Sequence, residues 1–256
     1  MANVEKALTL KALHEAPEIL RVVNVWDAIT AKVASEVDGT RAIATAGHSI
    51  AASHGFPDGE MPLELLLAAV ERIVKATDLP VSADFDAGFG DPGEVTRRAI
   101  GIGVVGANVE DRMKPLEESI RTVEQIIAAA QAEGIEFQLN ARTDVFVKAG
   151  DLPVEEKVAQ AVERGRAFLE AGASLVFVPG VLAADVTRQL VAGLGERKLS
   201  VIGLPGALSA AEYEALGVAR ISYGPLTQRV ALRAYRDLAT DLYGDGVIPQ
   251  DTPALN

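Results

Sequence analysis

Short apolar segments alternate with helix-forming segments eight times along the chain, and no other feature of the sequence limits the fold as much. The segments expected as strands are 20–25, 41–45, 79–83, 103–109, 136–140, 174–178, 199–202 and 219–223. The helices expected after them are 28–37, 62–77, 92–100, 115–133, 153–171, 183–192, 209–216 and 225–243, with a further helix over 4–14 at the start. The strands are apolar on both faces, as parallel strands covered by helices are. Asp27 stands where an N-cap belongs, and Pro62, Pro92, Pro115, Pro153 and Pro225 stand at helix starts, where a missing N–H does no harm. Eight strand–helix units in 256 residues fit a (β/α)8 barrel, the TIM-barrel architecture, better than an open doubly wound sheet. No Gly-x-Gly-x-x-Gly follows the first strand, so no dinucleotide site is marked. One domain is expected over 1–243, followed by a flexible tail over 244–256 carrying Gly, Pro and polar residues.

Composition narrows the partners. The formal charge is −12 and Lys and Arg do not cluster, so the chain lacks the basic surface that tracks a phosphate backbone and nucleic acid is not expected. No cysteine is present, which excludes disulfides, thiolate metal sites and a Cys nucleophile, and is compatible with the cytoplasm. No apolar run reaches signal-peptide or membrane-span length, so a soluble cytoplasmic protein without membrane contact is expected.

In a barrel of this kind the loops after the carboxyl ends of the strands build the site. Asp84 and Asp86 stand two residues apart at the end of the third strand, followed by a Gly-rich turn. Residues i and i+2 of an extended segment project to one side, so both carboxylates face one space if the strand continues through Phe85. Such a pair repels unless a proton or a cation lies between its members; the alternative is an Asp-x-Asp that caps a turn. Asp58, from the stretch 46–59 read as a long irregular loop, Glu110 after the fourth strand and Arg142 after the fifth share the same mouth. Carboxylates with several waters suit Mg2+, and Mn2+ is chemically similar.

The stretches Asn-Val-Trp-Asp (24–27), Ala-Ala-Ser-His-Gly-Phe-Pro-Asp-Gly (51–59), Ala-Asp-Phe-Asp-Ala-Gly-Phe-Gly (83–90), Asn-Val-Glu-Asp (108–111) and Asn-Ala-Arg-Thr-Asp (140–144) follow one another across nearly the whole barrel. With them the chain resembles the isocitrate lyase/phosphoenolpyruvate mutase superfamily. The resemblance implies a Mg2+-dependent barrel enzyme that makes or breaks a C–C or P–C bond beside a 2-oxo acid carboxylate, through an enolate-like species. It implies Asp84 as the direct metal ligand, with Asp58, Asp86 and Glu110 holding the ion mostly through its waters. Arg142 would grip the substrate carboxylate, the backbone N–H groups of Gly47 and His48 would take the same carboxylate or the oxo group, and Trp26 would pack on the flat pyruvyl portion. It also implies a homotetramer whose last helix packs on a neighbouring subunit.

The departures bear on the reaction. The superfamily's lyases carry a Lys-Lys-Cys-Gly-His-type segment after strand four, where this chain has Asp-Arg-Met-Lys-Pro-Leu-Glu-Glu (111–118) and no cysteine. Its mutases carry a longer gating segment there, and mutases and phosphonopyruvate hydrolases have a His after strand six where Pro179 stands. Lys114 is expected as a solvated surface lysine and His14 as a surface helix residue. His48, where a small residue is usual, is a candidate acid, base or substrate contact; His54 is a weaker one. The reading is C–C cleavage of an oxaloacetate-like 2-oxo (di)carboxylate by a decarboxylase, hydrolase or lyase. The alternatives are phosphonate chemistry, as in phosphoenolpyruvate or carboxyphosphonoenolpyruvate mutase or phosphonopyruvate hydrolase, and a non-catalytic barrel that binds an oxo acid.

Overall fold

The computed structural model describes residues 2–244 and 246–254. Parts of the expected tail, 245 and 255–256, lie outside the described residues. Helix α1 (Ala2–Glu15) leads into β1 (Leu20–Val25), α2 (Ala28–Ser35), β2 (Ile43–Thr45), α3 (Gly47–Ser53), α4 (Leu63–Lys75), β3 (Val81–Asp84), α5 (Pro92–Gly101), β4 (Gly106–Glu110) and α6 (Leu116–Ala132). The second half runs β5 (Gln138–Arg142), α7 (Val145–Lys148), α8 (Val154–Glu170), β6 (Leu175–Phe177), α9 (Ala184–Leu194), β7 (Leu199–Ile202), α10 (Ala210–Ala215), β8 (Arg220–Ser222) and α11 (Leu226–Tyr243).

All eight strands pair in parallel with their sequence neighbours, and β8 pairs with β1, closing a single barrel. The expected TIM-barrel fold is the observed one. Local chemistry starts the helices as the sequence implies. Asp27 caps α2 in a capping box with Thr30, Asp91 caps α5 with Pro92 next in line, and Ser209 and Glu212 form a second capping box on α10. No helix among the described residues is long and apolar enough to cross a membrane.

Three local expectations need correction. The stretch 46–59 is not irregular throughout, because residues 47–53 form α3. Its N-cap position holds Ala46, which offers no side-chain bond, so the start signal is missing. Gln228 of α11 holds α3 from outside, donating to the carbonyl of Ser49 and the hydroxyl of Ser53, each at 2.9 Å. The one-turn helix α7 is likewise unannounced by the sequence; it lacks a side-chain cap and follows directly on β5.

His14 is the third correction, since it is 3% exposed instead of lying on the surface. α1 packs Ala7, Leu10 and Leu13 into the core beside the amino ends of the strands, and its last turn carries His14 inward. Burial first, then the charge of Arg220, hold its pKa down at about 3; Gln138 beside the ring works the other way, and Arg197 and Lys198 lower it further.

A base whose pKa is lowered by folding favours the native state while neutral. The contribution is whole above pH 6.5, its ordinary value, and is lost as the pH falls toward about 3. Urea unfolding at pH 7 and pH 4.5 is expected to show the natural protein losing about 2 kcal/mol more than His14→Leu over that interval, because a tenfold difference in proton affinity between folded and unfolded chains is worth roughly 1.4 kcal/mol. Equal losses in both proteins contradict the assignment.

Candidate active site

Parallel closure brings the carboxyl ends of all strands to one rim, where a cavity of about 350 Å3 opens. Asp84, Asp86, Glu110, Arg142, His48 and Asp58 all line it. The register explains the central contacts. Glu110 of β4 is the cross-strand partner of Arg142 of β5, and their side chains pair at 2.9 Å. Asp84 is the partner of Asn108, and its amide donates to the Thr45 hydroxyl of β2 at 3.0 Å.

Asp84 and Asp86 do meet, though not through the i, i+2 alternation of a continuing strand. Strand β3 ends at Asp84; Phe85 is buried, and Asp86 turns into the left-handed region at φ 45° while its carbonyl accepts from the Glu110 amide at 2.7 Å. Both carboxylates approach Gly47, where a Cβ atom would stand 3.3 Å from Asp84 Oδ2 and 3.5 Å from Asp86 Oδ1. A side chain there would press on the Asp84 carboxylate by a few tenths of an ångström. Burial first, against the bond from Gly47 and the charge of Arg142, raises the Asp84 pKa. Burial and then the charges of Asp84, Glu110 and Asp58 push Asp86 up to about 7. The pair is more negative than its surroundings support without a proton or a cation.

Among the described residues no three Asp, Glu or His side chains form a ready set of direct ligands. The donors fit a hard ion with few protein ligands and several waters, as Mg2+ is, and do not fit a metal that demands a closed nitrogen or sulfur cage. Asp58 stands furthest out, its side chain 61% exposed, with Nδ1 of His48 at 3.4 Å.

Two expected contacts are placed differently. The Gly47 amide donates to Asp84 Oδ2 at 3.1 Å, so it braces that carboxylate and is not free to hold a substrate. The His48 amide lies in the first turn of α3, where helical N–H groups have no intrahelical acceptor. Trp26 lines a lateral apolar groove with Ile29, Val33 and Val37, away from the mouth. β1 stops at Val25 and the chain turns into the Asp27 cap, so the indole leaves the inward direction that Asn24 holds. Lys114 pairs with Glu118 at 2.6 Å on the surface, as expected from the sequence.

Several polar residues of the site carry no signal strong enough to single them out in the sequence. Asp144, fully buried, accepts from Arg142 Nε and Nη2 at 2.7 Å, while Lys148 reaches its other oxygen at 2.9 Å. Burial works against the Arg142 charge, but Glu110, Asp144 and Asp84 outweigh it and raise its pKa. The loop 111–115 turns back over the mouth through left-handed Arg112 (φ 49°) and Met113 (φ 58°), and Arg112 Nε pairs with Glu110 at 2.7 Å. Asp111 fixes that turn: it accepts from the amides of Met113 and Asp144 at 3.0 Å and from Arg164 Nε of α8 at 2.6 Å. Asp144 and Asp111 stand in the stretches 140–144 and 108–111 that carry the resemblance, but nothing there tells what they hold. The backbone strain at Arg112 has no sequence signal, because Arg carries no preference for that conformation.

The model of the phosphoenolpyruvate phosphomutase family matches residues 10–243. A crystal structure from Burkholderia cenocepacia J2315, described provisionally as a phosphonomutase, is 35% identical and superposes with a TM-score of 0.87 over 92% of this chain and 99% of that one. This chain belongs to the phosphoenolpyruvate mutase/isocitrate lyase superfamily. Within that superfamily, the 2,3-dimethylmalate lyase of Eubacterium barkeri is 29% identical over 95% of this chain and 86% of its own length. A crystal structure of 2,3-dimethylmalate lyase superposes with a TM-score of 0.84 at 27% identity, covering 97% of this chain and 92% of that one. The superfamily's lyases and mutases are enzymes, and the rim described above is where this member gathers its ionisable groups.

Removing Arg164 tests what the rim rests on. Arg164→Met leaves the Asp111 carboxylate buried without its charge partner, and urea unfolding is expected to show a loss of about 3–5 kcal/mol. A loss below about 1 kcal/mol contradicts the role given to this pair.

Proposed function

We propose that this protein is a Mg2+-dependent enzyme that cleaves a C–C bond adjacent to the 2-oxo acid unit of a small dicarboxylate of the oxaloacetate kind. One observation carries the reading: an overcharged carboxylate pair, Asp84 and Asp86, faces a buttressed Arg142 across one cavity. Asp84 would ligate the ion directly, with Asp86, Glu110 and Asp58 reaching it largely through water. When bound there, Mg2+, or Mn2+ in its place, supplies positive charge where the 2-oxo oxygen becomes negative. Arg142 binds the substrate carboxylate with the N–H groups its three ion-pair contacts leave free. Asp144 and Glu110 hold the guanidinium plane in place for that contact. In a decarboxylation the C–C electron pair stays on the carbon beside the carbonyl as carbon dioxide leaves. That enolate then takes a proton, and in this reading His48, 3.4 Å from Asp58 at the rim, would deliver it.

The relatives named as lyases support carbon–carbon cleavage. The short loop 111–115, without cysteine, argues against the substrate of those particular lyases. The family model and the Burkholderia relative favour a second reading, P–C bond chemistry on a phosphonopyruvate, against which Pro179 lines the mouth. A barrel that binds an oxo acid without turnover is the third. Pyruvate release from oxaloacetate that disappears with EDTA, and falls at least about 100-fold in Asp84→Ala and in Arg142→Lys, is the expected outcome. Turnover confined to phosphonopyruvate decides for the second reading, and oxo-acid binding without turnover across both substrates for the third.

Two uncovered surfaces support the oligomer that the resemblance implies. Of α11 only Gln228 is buried, while Val230 is 71% and Tyr235 70% exposed, and the lateral groove beside Trp26 is almost wholly apolar. We propose a homotetramer in which α11 of one copy covers the groove of another. Light scattering on the eluted protein is expected to give four copies for the natural chain and smaller species for Val230→Glu/Tyr235→Glu; a natural chain that elutes as a monomer contradicts this.

A further inference from the structure

A second cavity, of about 400 Å3, opens at the end of the barrel away from the mouth, between the last turn of α1 and the amino ends of β5, β6 and β7. This end of such a barrel ordinarily serves stability. The groups here are poor choices for that purpose. His14 is 3% exposed and lines the cavity, and neither ring nitrogen meets a partner at hydrogen-bond geometry; Gln138, whose amide goes to the Glu136 carbonyl, is near enough to act on the ring without closing such a bond. A buried polar group left unpaired costs on the order of 1–3 kcal/mol, and natural structures rarely keep one without a reason.

The walls are of two kinds. On one side Arg197 spends its terminal nitrogens on the carbonyls of Glu18, Val218 and Ala219 and leaves Nε unpaired. Lys198 stands next to it, in no ion pair among those found in the described residues. The carboxylates at the rim are Glu136, which is taken by Lys11, and Glu15. The other side is apolar, with Ile127, Ile135 and Leu175. We propose that this cavity is a binding site for a small monocarboxylate with a short apolar body, its carboxylate held by His14 and Lys198 and its body against Ile127 and Ile135. A carboxylate oxygen accepts the imidazole N–H and meets the positive charge of Lys198, Arg197 and the buried Arg220, each of which acts on His14. The volume falls in the range of small-molecule sites. The site lies apart from the mouth and does not depend on the function proposed for it.

The test uses the full chain carrying Arg142→Gln, so that carboxylate binding at the mouth is suppressed, with sodium butyrate as the probe and inorganic phosphate as the comparison. Imidazole nitrogen resonances are followed by NMR, and the His14 signals are assigned by their loss in His14→Gln. Butyrate is expected to move the His14 signals saturably at millimolar concentration while His48 and His54 stay in place. Phosphate, without an apolar body, should bind at least about tenfold more weakly. Lys198→Ala, a surface change that leaves the fold intact, should weaken butyrate about tenfold, as loss of a charged partner does. No saturable movement of the His14 signals up to about 50 mM butyrate overturns the proposal. Unchanged affinity in Lys198→Ala, or phosphate binding as tightly as butyrate, overturns it equally.

Discussion

Closing eight parallel strands into a ring makes every strand end on the same rim, and the negative charge collected there is what the rest of the molecule must accommodate. Asp84, Asp86 and Glu110 come from neighbouring strand ends; burial and the charge of Glu110 raise the Asp84 pKa, and burial with the charges of Asp84, Glu110 and Asp58 raises that of Asp86. The fold answers with arginines at different depths. Arg142 and Arg112 pair with Glu110 at the rim, and Arg220 lies fully buried inside the barrel, its Nη1 on the Ser82 hydroxyl at 3.2 Å. Burial pulls the Arg220 pKa down to about 10, against the attraction of Asp84. Arg220 keeps Nε and Nη2 unpaired, so its charge belongs to the whole barrel and to no single ion pair.

The rim is stiff because its supports come from far along the chain. Asp144 sets the Arg142 plane, Asp111 sets both the Asp144 backbone and the loop carrying Arg112, and Arg164 of α8 closes the chain of contacts from beneath. Arg164 spends Nη2 on the Lys114 carbonyl and the Ser119 hydroxyl, so one side chain ties the loop after β4, α6 and α8 together. Such a shell lets a five-residue loop hold a strained turn over the mouth, where the backbone cost of Arg112 and Met113 is of order 1–3 kcal/mol each.

Much of this is legible in the sequence, because it depends on periodicity and on strand ends. Alternation points to the barrel, and a barrel sends Asp84, Glu110 and Arg142 to one place whatever their rotamers. What escapes depends on single backbone angles or on distant partners. α3 has no capping side chain and is held by Gln228, which lies 179 residues from Ser49. Placing Trp26 at the mouth requires β1 to run one residue further than it does. His14 looks like a surface residue because α1 has almost no amphipathic pattern to show which side faces in. Gly47 attracts notice for its amide, whereas both carboxylates also lie close to where its side chain would be.

The central claim is that Asp84, Asp86 and Glu110 surround one divalent cation within reach of a substrate anion on Arg142. Anomalous diffraction from crystals grown with Mn2+ and oxalate tests it most directly. A single strong manganese peak is expected against the Asp84 carboxylate, with oxalate lying between the ion and the Arg142 guanidinium. A mouth without a manganese peak at millimolar Mn2+, or an ion bound only elsewhere on the chain, would contradict it.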